Sequence, residues 1–424
     1  MICRNCKKKN FDKISNIGNQ PISSLFLKKK IKIKNYSLDL YKCNYCNLVQ
    51  LSKIPNLKDM YGLNYGYKTS VSKLMVNHLR EKIKKLEKFG ILNQKSQILD
   101  IGSNDGTFLN FFSKFRKKFN LFGIDPSASA FIENYNKDVN VIIDFFDKKS
   151  VKKYFINKKK KFSLITSYAM FYDVEDPNEF CSSIAKILNK NGIWALEFSY
   201  FPLLLKNLTY DQICHEHCVY YSLTTFNKII SNNGLKIIDF EFNEINGGSI
   251  EVICAKNKSN YSSNTKKIKE ILKKEKNISN KDFDKFNLRM ENSKKSLKLF
   301  LSCQKKNNVM GYGASTKGNV ILNYCNITNK NISYVCDANP IKEGKFTPGS
   351  HIEIISKKKM RKIKPKYLIV LIWSFRSEVI KQEKQFIENG GKLIFPLPVF
   401  HVVDKENYKK YLKEDFSLFS FSNT

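Results

Sequence analysis

"QILDIGSNDGTFL", Gln97 to Leu109, changes character twice over a short distance. An apolar run ends on Asp100, a turn follows with glycines at 102 and 106, and an apolar-periodic segment starts at Thr107. That order reads as strand, turn and helix. "NLFGIDPS", Asn120 to Ser127, supplies the next strand and ends it on Asp125. An acid there, roughly 20 residues beyond the glycines, completes the βαβ unit that binds nucleotides. Gly102 and Gly106 would let backbone approach a ligand, and Asp125 would take ribose hydroxyls. Any α/β sheet with a glycine turn shares part of this pattern, so the surrounding segments decide.

The turn lacks GxGxxG spacing, which a dinucleotide needs to cradle its pyrophosphate. S-adenosylmethionine carries an amino group and a sulfonium instead of phosphate, and an acid-bearing turn suits both. Asp100, Gly102, Ser103, Asn104, Gly106, Asp125 and Phe145 are the candidate residues for that cofactor. Further strands are expected at "VNVIID", "FSLITSY", "GIWALEF" and "LKIIDFEF", with "SIEVICAK" as a closing antiparallel strand. That count and order indicate a class I methyltransferase sheet, expected over residues 61–257.

Upstream, "CRNC" (Cys3, Cys6) and "CNYC" (Cys43, Cys46) bracket a short block, residues 1–60. Two CxxC pairs suit one tetrahedral thiolate Zn2+, and a block this small has little core of its own without a metal. With no histidine nearby, the site is expected to be structural. Downstream, residues 258–306 read as a Lys-rich helical linker with a solvated charged face. Residues 307–424 repeat the doubly wound pattern: "NNVMGYGASTKGNVILNY" is strand, glycine turn and helix, and a second strand ends at Asp337. Thr316 stands where GxGxxG requires its third glycine, so NAD is not expected there. The fold class is α/β: a class I methyltransferase Rossmann-like domain plus a second Rossmann-like C-terminal domain, preceded by a small zinc-binding domain.

Composition bounds the rest. The chain has 424 residues, 42% hydrophobic and 26% charged, the balance of a folded globular protein rather than a disordered one. No apolar run approaches the roughly 20 residues of a spanning helix, so no membrane partner is expected. "MICRNCKKKN" lacks an apolar signal core, and eleven cysteines, an odd count with several in metal-like spacing, suit a reducing compartment; the expected location is cytoplasmic. The net charge of +36 points superficially to nucleic acid, but only six of the 74 basic residues are Arg. A Lys excess spread along the chain is compositional, whereas nucleic-acid surfaces favour the bidentate Arg fork. No nucleic-acid partner is expected, and a monomer is the expected state.

"DQICHEHCVYYS", Asp211 to Ser222, packs two of the five histidines beside carboxylates and thiols. Three readings compete. Cys214, His215, His217 and Cys218 carry metal-binding atoms but are too close together to converge readily on one ion. Satisfied polar core is the second reading. Catalytic machinery is the third: a ketone α-carbon becomes nucleophilic only after losing a proton, which needs a base near neutral pKa, and histidine is that side chain. The segment leaves the carboxyl end of the fifth strand, the edge where open α/β sheets bind ligands. His217 is the first choice as base; His215 is the alternative, or a hydrogen-bonding partner.

Taken in order, the CxxC pairs, "ILDIGSNDGTFL", "HEH", "NGGS", "GYGASTKGN" and "DANPIKEGKFTPG" resemble one family over nearly the whole chain: the three-domain C-methyltransferases that act on nucleotide-linked keto-hexoses. The resemblance implies a nucleotide-sugar substrate and an enolate attacking the methyl of S-adenosylmethionine. It implies His217 as base, Glu216 as its neighbouring carboxylate, His215 in the same motif, and Tyr67 on the substrate side. It also implies Asn246, Gly247, Gly248, Ser249, Gly313, Ser315, Lys317, Asn319 and Asp337 as substrate-binding residues. The chain departs from the family twice. Cys214 precedes HEH where Tyr is common, and "SYAMFYDVEDP", residues 167–177, stands where a His-containing stretch is common. A phenol that helps hold the enolate is therefore missing or supplied elsewhere. Two other readings remain: an RNA methyltransferase with a zinc module, and a non-catalytic sugar-nucleotide-binding protein.

Overall fold

The computed structural model describes residues 1–61, 66–93, 95–113 and 118–413; residues 414–424 of the expected C-terminal block lie outside these. Among the described residues three sheets form. The first begins as an antiparallel meander of β1 (Phe11–Pro21), β2 (Asn35–Cys43) and β3 (Val49–Leu51).

The second sheet contains β4 (Gln97–Ile101), β5 (Asn120–Ile124), β6 (Val139–Ile142), β7 (Phe162–Tyr168) and β8 (Leu188–Ser199). The chain then leaves to add β9 (Val219–Tyr220) to the first sheet, antiparallel to β3. It returns with β10 (Leu235–Asn243) and β11 (Ser249–Lys256). The second sheet's order is β10-β11-β8-β7-β4-β5-β6, with β11 antiparallel to both neighbours and the other pairs parallel. This is the expected methyltransferase sheet, closing strand included. Its parallel strands are buried on both faces, which is why they read as near-continuous apolar runs.

The third sheet contains β12 (Val309–Tyr312), β13 (Val335–Asp337), β14 (Ile354–Ser356), β15 (Tyr367–Val370), β16 (Lys392–Phe395) and β17 (His401–Val403). Its order, β14-β13-β12-β15-β16-β17, is doubly wound, with only β17 antiparallel. The chain direction of winding reverses between β12 and β15 here, and between β4 and β7 in the second sheet. Such switch points open the crevices where ligands bind.

Apolar packing ties the sheets together. One core cluster joins Ile14, Ile17, Leu38 and Leu40 of the first sheet to the strands of the third. Helix Asn280–Ser302 lies within it, burying Phe283, Phe286, Met290, Ser293, Leu297 and Leu301 at three- and four-residue spacing. Its lysines lie mainly on the opposite side. A second cluster packs Cys3, Cys43 and Leu48 with Trp194, Phe198 and Tyr221 of the methyltransferase sheet and its insertion. No helix among the described residues is long and apolar enough to cross a membrane.

Candidate active site

At the β4/β7 switch point lies a cavity of about 740 Å³, within the size range of small-molecule sites. Asp100, Gly102, Ser103 and Asn104 line it from the turn after β4, Asp125 from the end of β5, and Phe145 after β6. Tyr67, half-exposed, Ala169, Met170 and Asp173 complete other walls. Gly102 has φ +73°, and a Cβ there would come within 2.9 Å of Met170 Cγ, so glycine keeps the wall open. Gly106 is not among the lining residues; it precedes the helix Thr107–Phe112 at φ +74°, with the Tyr135 ring 2.6 Å from where its Cβ would be.

The turn is pre-shaped by its own polar groups. The Asn104 peptide N–H donates to Asp125 Oδ2 at 2.8 Å, and the Ser127 N–H and hydroxyl both donate to Asp125 Oδ1 at 2.6 Å. Asn104 accepts from the Thr69 N–H and donates to the Tyr67 carbonyl, lacing that segment over the turn. Ser103 shares a hydrogen bond of 2.8 Å with the Tyr135 hydroxyl. Burial pushes Asp100 up to about 7, against a 2.6 Å hydrogen bond from Thr166 and with the Asp125 charge adding to the rise. Burial raises Asp125 as well. Two acids held with their charges disfavoured are poised for a cation, and the aromatic Phe145 and Phe146 offer faces for a base.

A buried ionic network underlies the floor. Glu197, which lines the cavity, meets His78 Nε2 at 2.9 Å and Lys82 Nζ at 3.0 Å; Lys82 also reaches Glu251 at 2.7 Å. Burial opposes ionisation of Glu197, but the His78 hydrogen bond and the Lys82 charge prevail and hold it at about 2. Helix Lys73–Glu87, which supplies His78 and Lys82, is thereby pinned across the sheet end.

The HEH segment is not among the cavity's lining residues; it lies behind the strip 170–175. The His217 ring sits 4.0 Å, centroid to centroid, from Tyr172, whose neighbour Asp173 faces the cavity. Burial, then the Lys317 charge, lowers the His217 pKa, while the Gln212 carbonyl pulls the other way. His217 is thus held neutral, with a carbonyl positioned to favour one tautomer. Glu216 is 4% exposed, accepts from Ser23 at 3.3 Å and leaves Oε1 without a partner. His215 is turned to the Tyr36 carbonyl at 3.3 Å, edge-on to that ring. Cys218 donates to the carbonyls of Tyr172 and Val174. Among the described residues this segment forms no cluster of metal-ligating atoms, so the metal reading of HEH has no geometric support.

The third sheet reaches the same place. Lys317, in the first turn of the helix Thr316–Tyr324, donates to Asn246 Oδ1 at 2.6 Å. Gln212 donates to the Asn246 carbonyl, joining HEH and NGGS. Gly247 is in van der Waals proximity to Trp373, whose indole N–H donates to Asp211 Oδ2 at 2.8 Å. Gly248 packs against Leu203, and the Ser249 hydroxyl donates to the Ile245 carbonyl. Ser315 caps its helix by accepting from the Gly318 N–H, Gly313 has φ +89° against Ile372, and Asp337 accepts from the Ala314 N–H. Asn319 donates to the Ser23 carbonyl and keeps Oδ1 buried without a partner. The structure therefore brings His217, Glu216, Asn246 and Lys317 together, places Tyr67 at the cavity, and sets the glycines and Ser249 in the packing between sheets.

At the far end of the first sheet, the Sγ atoms of Cys3, Cys6, Cys43 and Cys46 lie within 4.8 Å of one another. The Cys3–Cys46 and Cys6–Cys43 contacts are both 3.5 Å, close to the edge of about 3.8 Å that ~2.3 Å Zn–S bonds produce in a tetrahedron. Each CxxC turn ends in a left-handed residue four positions after its first cysteine, Lys7 and Asn47, so the two halves share one knuckle geometry.

Three family models match in succession: a zinc binding domain over residues 3–61, a methyltransferase domain over 75–239, and a C-methyltransferase C-terminal domain over 244–398. Their content and order are those of the three-domain C-methyltransferases. A curated relative, C-methyltransferase NovU of Streptomyces niveus, is 26% identical over 415 residues, spanning 96% of this chain and 97% of its own. A solved S-adenosylmethionine-dependent methyltransferase from Clostridium acetobutylicum is 12% identical, covering 42% of this chain and 89% of its own at a TM-score of 0.32.

This C-methyltransferase uses S-adenosylmethionine, which supplies an electrophilic methyl group when bound, and a structural Zn2+. The residues present fit both: paired acids and aromatic faces around the β4 turn, and four converged thiols at the first sheet. Sequence reasoning missed Asp173, which lines the methyltransferase's cavity while its carboxyl feels both Glu216 and Lys317. A signal was available, since Asp173 follows the fourth strand at the switch point, where ligand-facing residues concentrate. It also missed the Glu197 network, whose members are scattered over strands and a Lys-rich helix.

Proposed function

We propose that this methyltransferase carries the methyl group to a carbon beside the ketone of a nucleoside-diphosphate keto-sugar, with His217 as the base. The single observation that carries the reading is the position of His217. Its ring is buried and held neutral, packed on Tyr172 beside the cavity-lining Asp173, and the Lys317 charge from the other Rossmann-like sheet reaches it. The donor's cavity opens on the Asp173 side. In this reading His217 takes the α-proton, and Glu216 balances the imidazolium that results. His215, turned to a backbone carbonyl, positions the segment. Tyr67 contacts the acceptor from the cavity side, and Asn246 orients Lys317. Gly247, Gly248, Ser249, Gly313, Ser315, Asn319 and Asp337 shape the crevice for the sugar nucleotide. The resemblance of the whole motif series to enzymes of nucleotide-linked keto-hexoses supports the substrate class.

The test is methyl transfer from methyl-deuterated S-adenosylmethionine to a series of nucleoside-diphosphate 4-keto-hexoses, with products read by NMR. The expected product carries deuteromethyl on carbon next to the former ketone. Transfer to oxygen, or to none of the series, sinks the reading. His217→Ala is expected to bind S-adenosylmethionine as wild type does by calorimetry and to lose at least about 100-fold in turnover, the range for a general base. Near wild-type turnover removes His217 as base.

A further inference from the structure

The sequence leaves one chemical role without an owner. Cys214 stands where a phenol is common, and its thiol is fully buried with ionisation suppressed by that burial. It cannot serve as a strong donor to an oxyanion. A donor is nevertheless required: when a carbon beside a carbonyl loses its proton, charge appears on the carbonyl oxygen two bonds away, and a base alone leaves it unheld.

Lys317 meets the requirement. Its ammonium makes one hydrogen bond among the described residues, to Asn246 Oδ1, which leaves two N–H groups. No carboxylate forms an ion pair with it among the described residues, although Asp211 and Asp173 are near enough to act on its charge. Asp211 has one oxygen on Trp373 and the other buried without a partner, and Asp173 Oδ1 also lacks a partner. Lys317 is partly exposed as a residue, unlike Asp211 and His217. The cation stands close enough to His217 to depress its pKa. Asn246 also links the two positions, since it accepts from Lys317 through its side chain and from Gln212 of the HEH segment through its carbonyl. A base and a cation thus stand in one neighbourhood, the pairing an α-proton and its carbonyl oxygen need.

We infer that Lys317 is a catalytic residue that holds the acceptor's carbonyl oxygen while the neighbouring carbon is deprotonated, replacing the phenol absent at position 214. The inference rests on the keto-sugar reading above. In the step, the C–H bond breaks and its proton passes to His217. The electron pair forms C=C, and the carbonyl π pair moves onto oxygen as an alkoxide held by Lys317 N–H. Charge would return through the same atoms when the carbon bonds to the methyl group, whose bond to sulfur breaks as the sulfonium takes that electron pair and leaves as the thioether of S-adenosylhomocysteine.

Burial lowers Lys317 to about 8, against the pull of Asp211, Cys214 and Asp173. The alkoxide is held only by the protonated amine, so deprotonation should fail as pH rises through about 8. The experiment follows exchange of the hydrogens beside the ketone of thymidine-diphosphate 4-keto-6-deoxyglucose in D2O, by NMR. Enzyme loaded with S-adenosylhomocysteine is used, so that proton abstraction is seen without transfer. Wild type is expected to exchange faster than an enzyme-free control, with a rate falling above about pH 8. Lys317→Met should lose about 100-fold or more, the usual loss for one oxyanion donor. Lys317→Arg should recover part of that rate and show no alkaline fall, because guanidinium stays charged. Thermal melts and S-adenosylhomocysteine calorimetry on each variant report folding and the donor site separately. Exchange by Lys317→Met within about threefold of wild type, or an unmoved alkaline limb in Lys317→Arg, overturns the role of Lys317. No exchange by wild type above the control overturns the keto-sugar reading itself.

Discussion

Asp100 illustrates a carboxyl kept in reserve. Burial holds it at about 7 where the ordinary value is 3.8, so the free protein carries it partly protonated near neutrality. A cationic donor beside it favours the carboxylate, and binding should then release a proton. Calorimetry of S-adenosylmethionine binding at pH 6.5 in two buffers of different ionisation enthalpy should reveal that release, and affinity should weaken as pH falls below about 7. The sign for folding is opposite. Because the folded-state pKa lies above the unfolded one, the folded protein holds the extra proton and stability falls as pH rises from about 4 to about 7. Asp100→Asn should therefore raise the neutral-pH melting temperature of the free protein while weakening donor binding and flattening its pH dependence. At this scale the sequence was partly legible. Asp100 and Asp125 end strands beside a glycine turn, and that signal is local. The electrostatic coupling of Asp173 to Lys317 was not, because it joins residues of two sheets far apart in the chain.

Among elements, helix Lys73–Glu87 has the most to lose from a single change. Met75, Leu79, Lys82 and Leu86 share its buried stripe, and Lys82 is the ionic member, held between Glu197 and Glu251. Lys82→Met would keep the volume and remove the ammonium that both Glu197 and Glu251 meet. Removing one partner from such a pair costs about 3–5 kcal/mol, a loss that chemical denaturation would read directly. A loss below about 1 kcal/mol would show that His78 and Asn243, whose side-chain N–H donates to Glu197 Oε2 at 2.7 Å, suffice for Glu197. Met75, Leu79, Ile83 and Leu86 stand at helical spacing in the sequence, but Lys82 does not stand out among them. In a stretch reading "REKIKKLEKF" one lysine on the apolar stripe is masked by the lysines around it. Strands of both Rossmann-like sheets were readable for the converse reason: β4, β5, β12 and β13 are short apolar runs closed by Gly102, Asp125, Gly313 and Asp337. Strands β14 and β17 are three residues each and carry no such punctuation.

Across the whole molecule, the zinc module and the HEH segment are mechanically one unit. β9 follows HEH directly and pairs with β3, which follows the Cys43/Cys46 knuckle closely. Stripping the metal with a strong chelator, monitored by thiol titration, should therefore reduce turnover at least about tenfold while leaving S-adenosylhomocysteine affinity within about twofold, since the donor cavity is built on the second sheet. Equal loss of both would mean that the module supports the entire fold instead. The cysteine spacing announced the metal, but not the four-stranded sheet around it, whose last strand comes from a segment some 170 positions later. That borrowed strand constrains how such proteins can be recombined. Grafting a relative's first sixty residues onto this chain would present a foreign edge to Val219 and Tyr220, so a working hybrid should require Asp211 to Ser222 to travel with the transplanted piece.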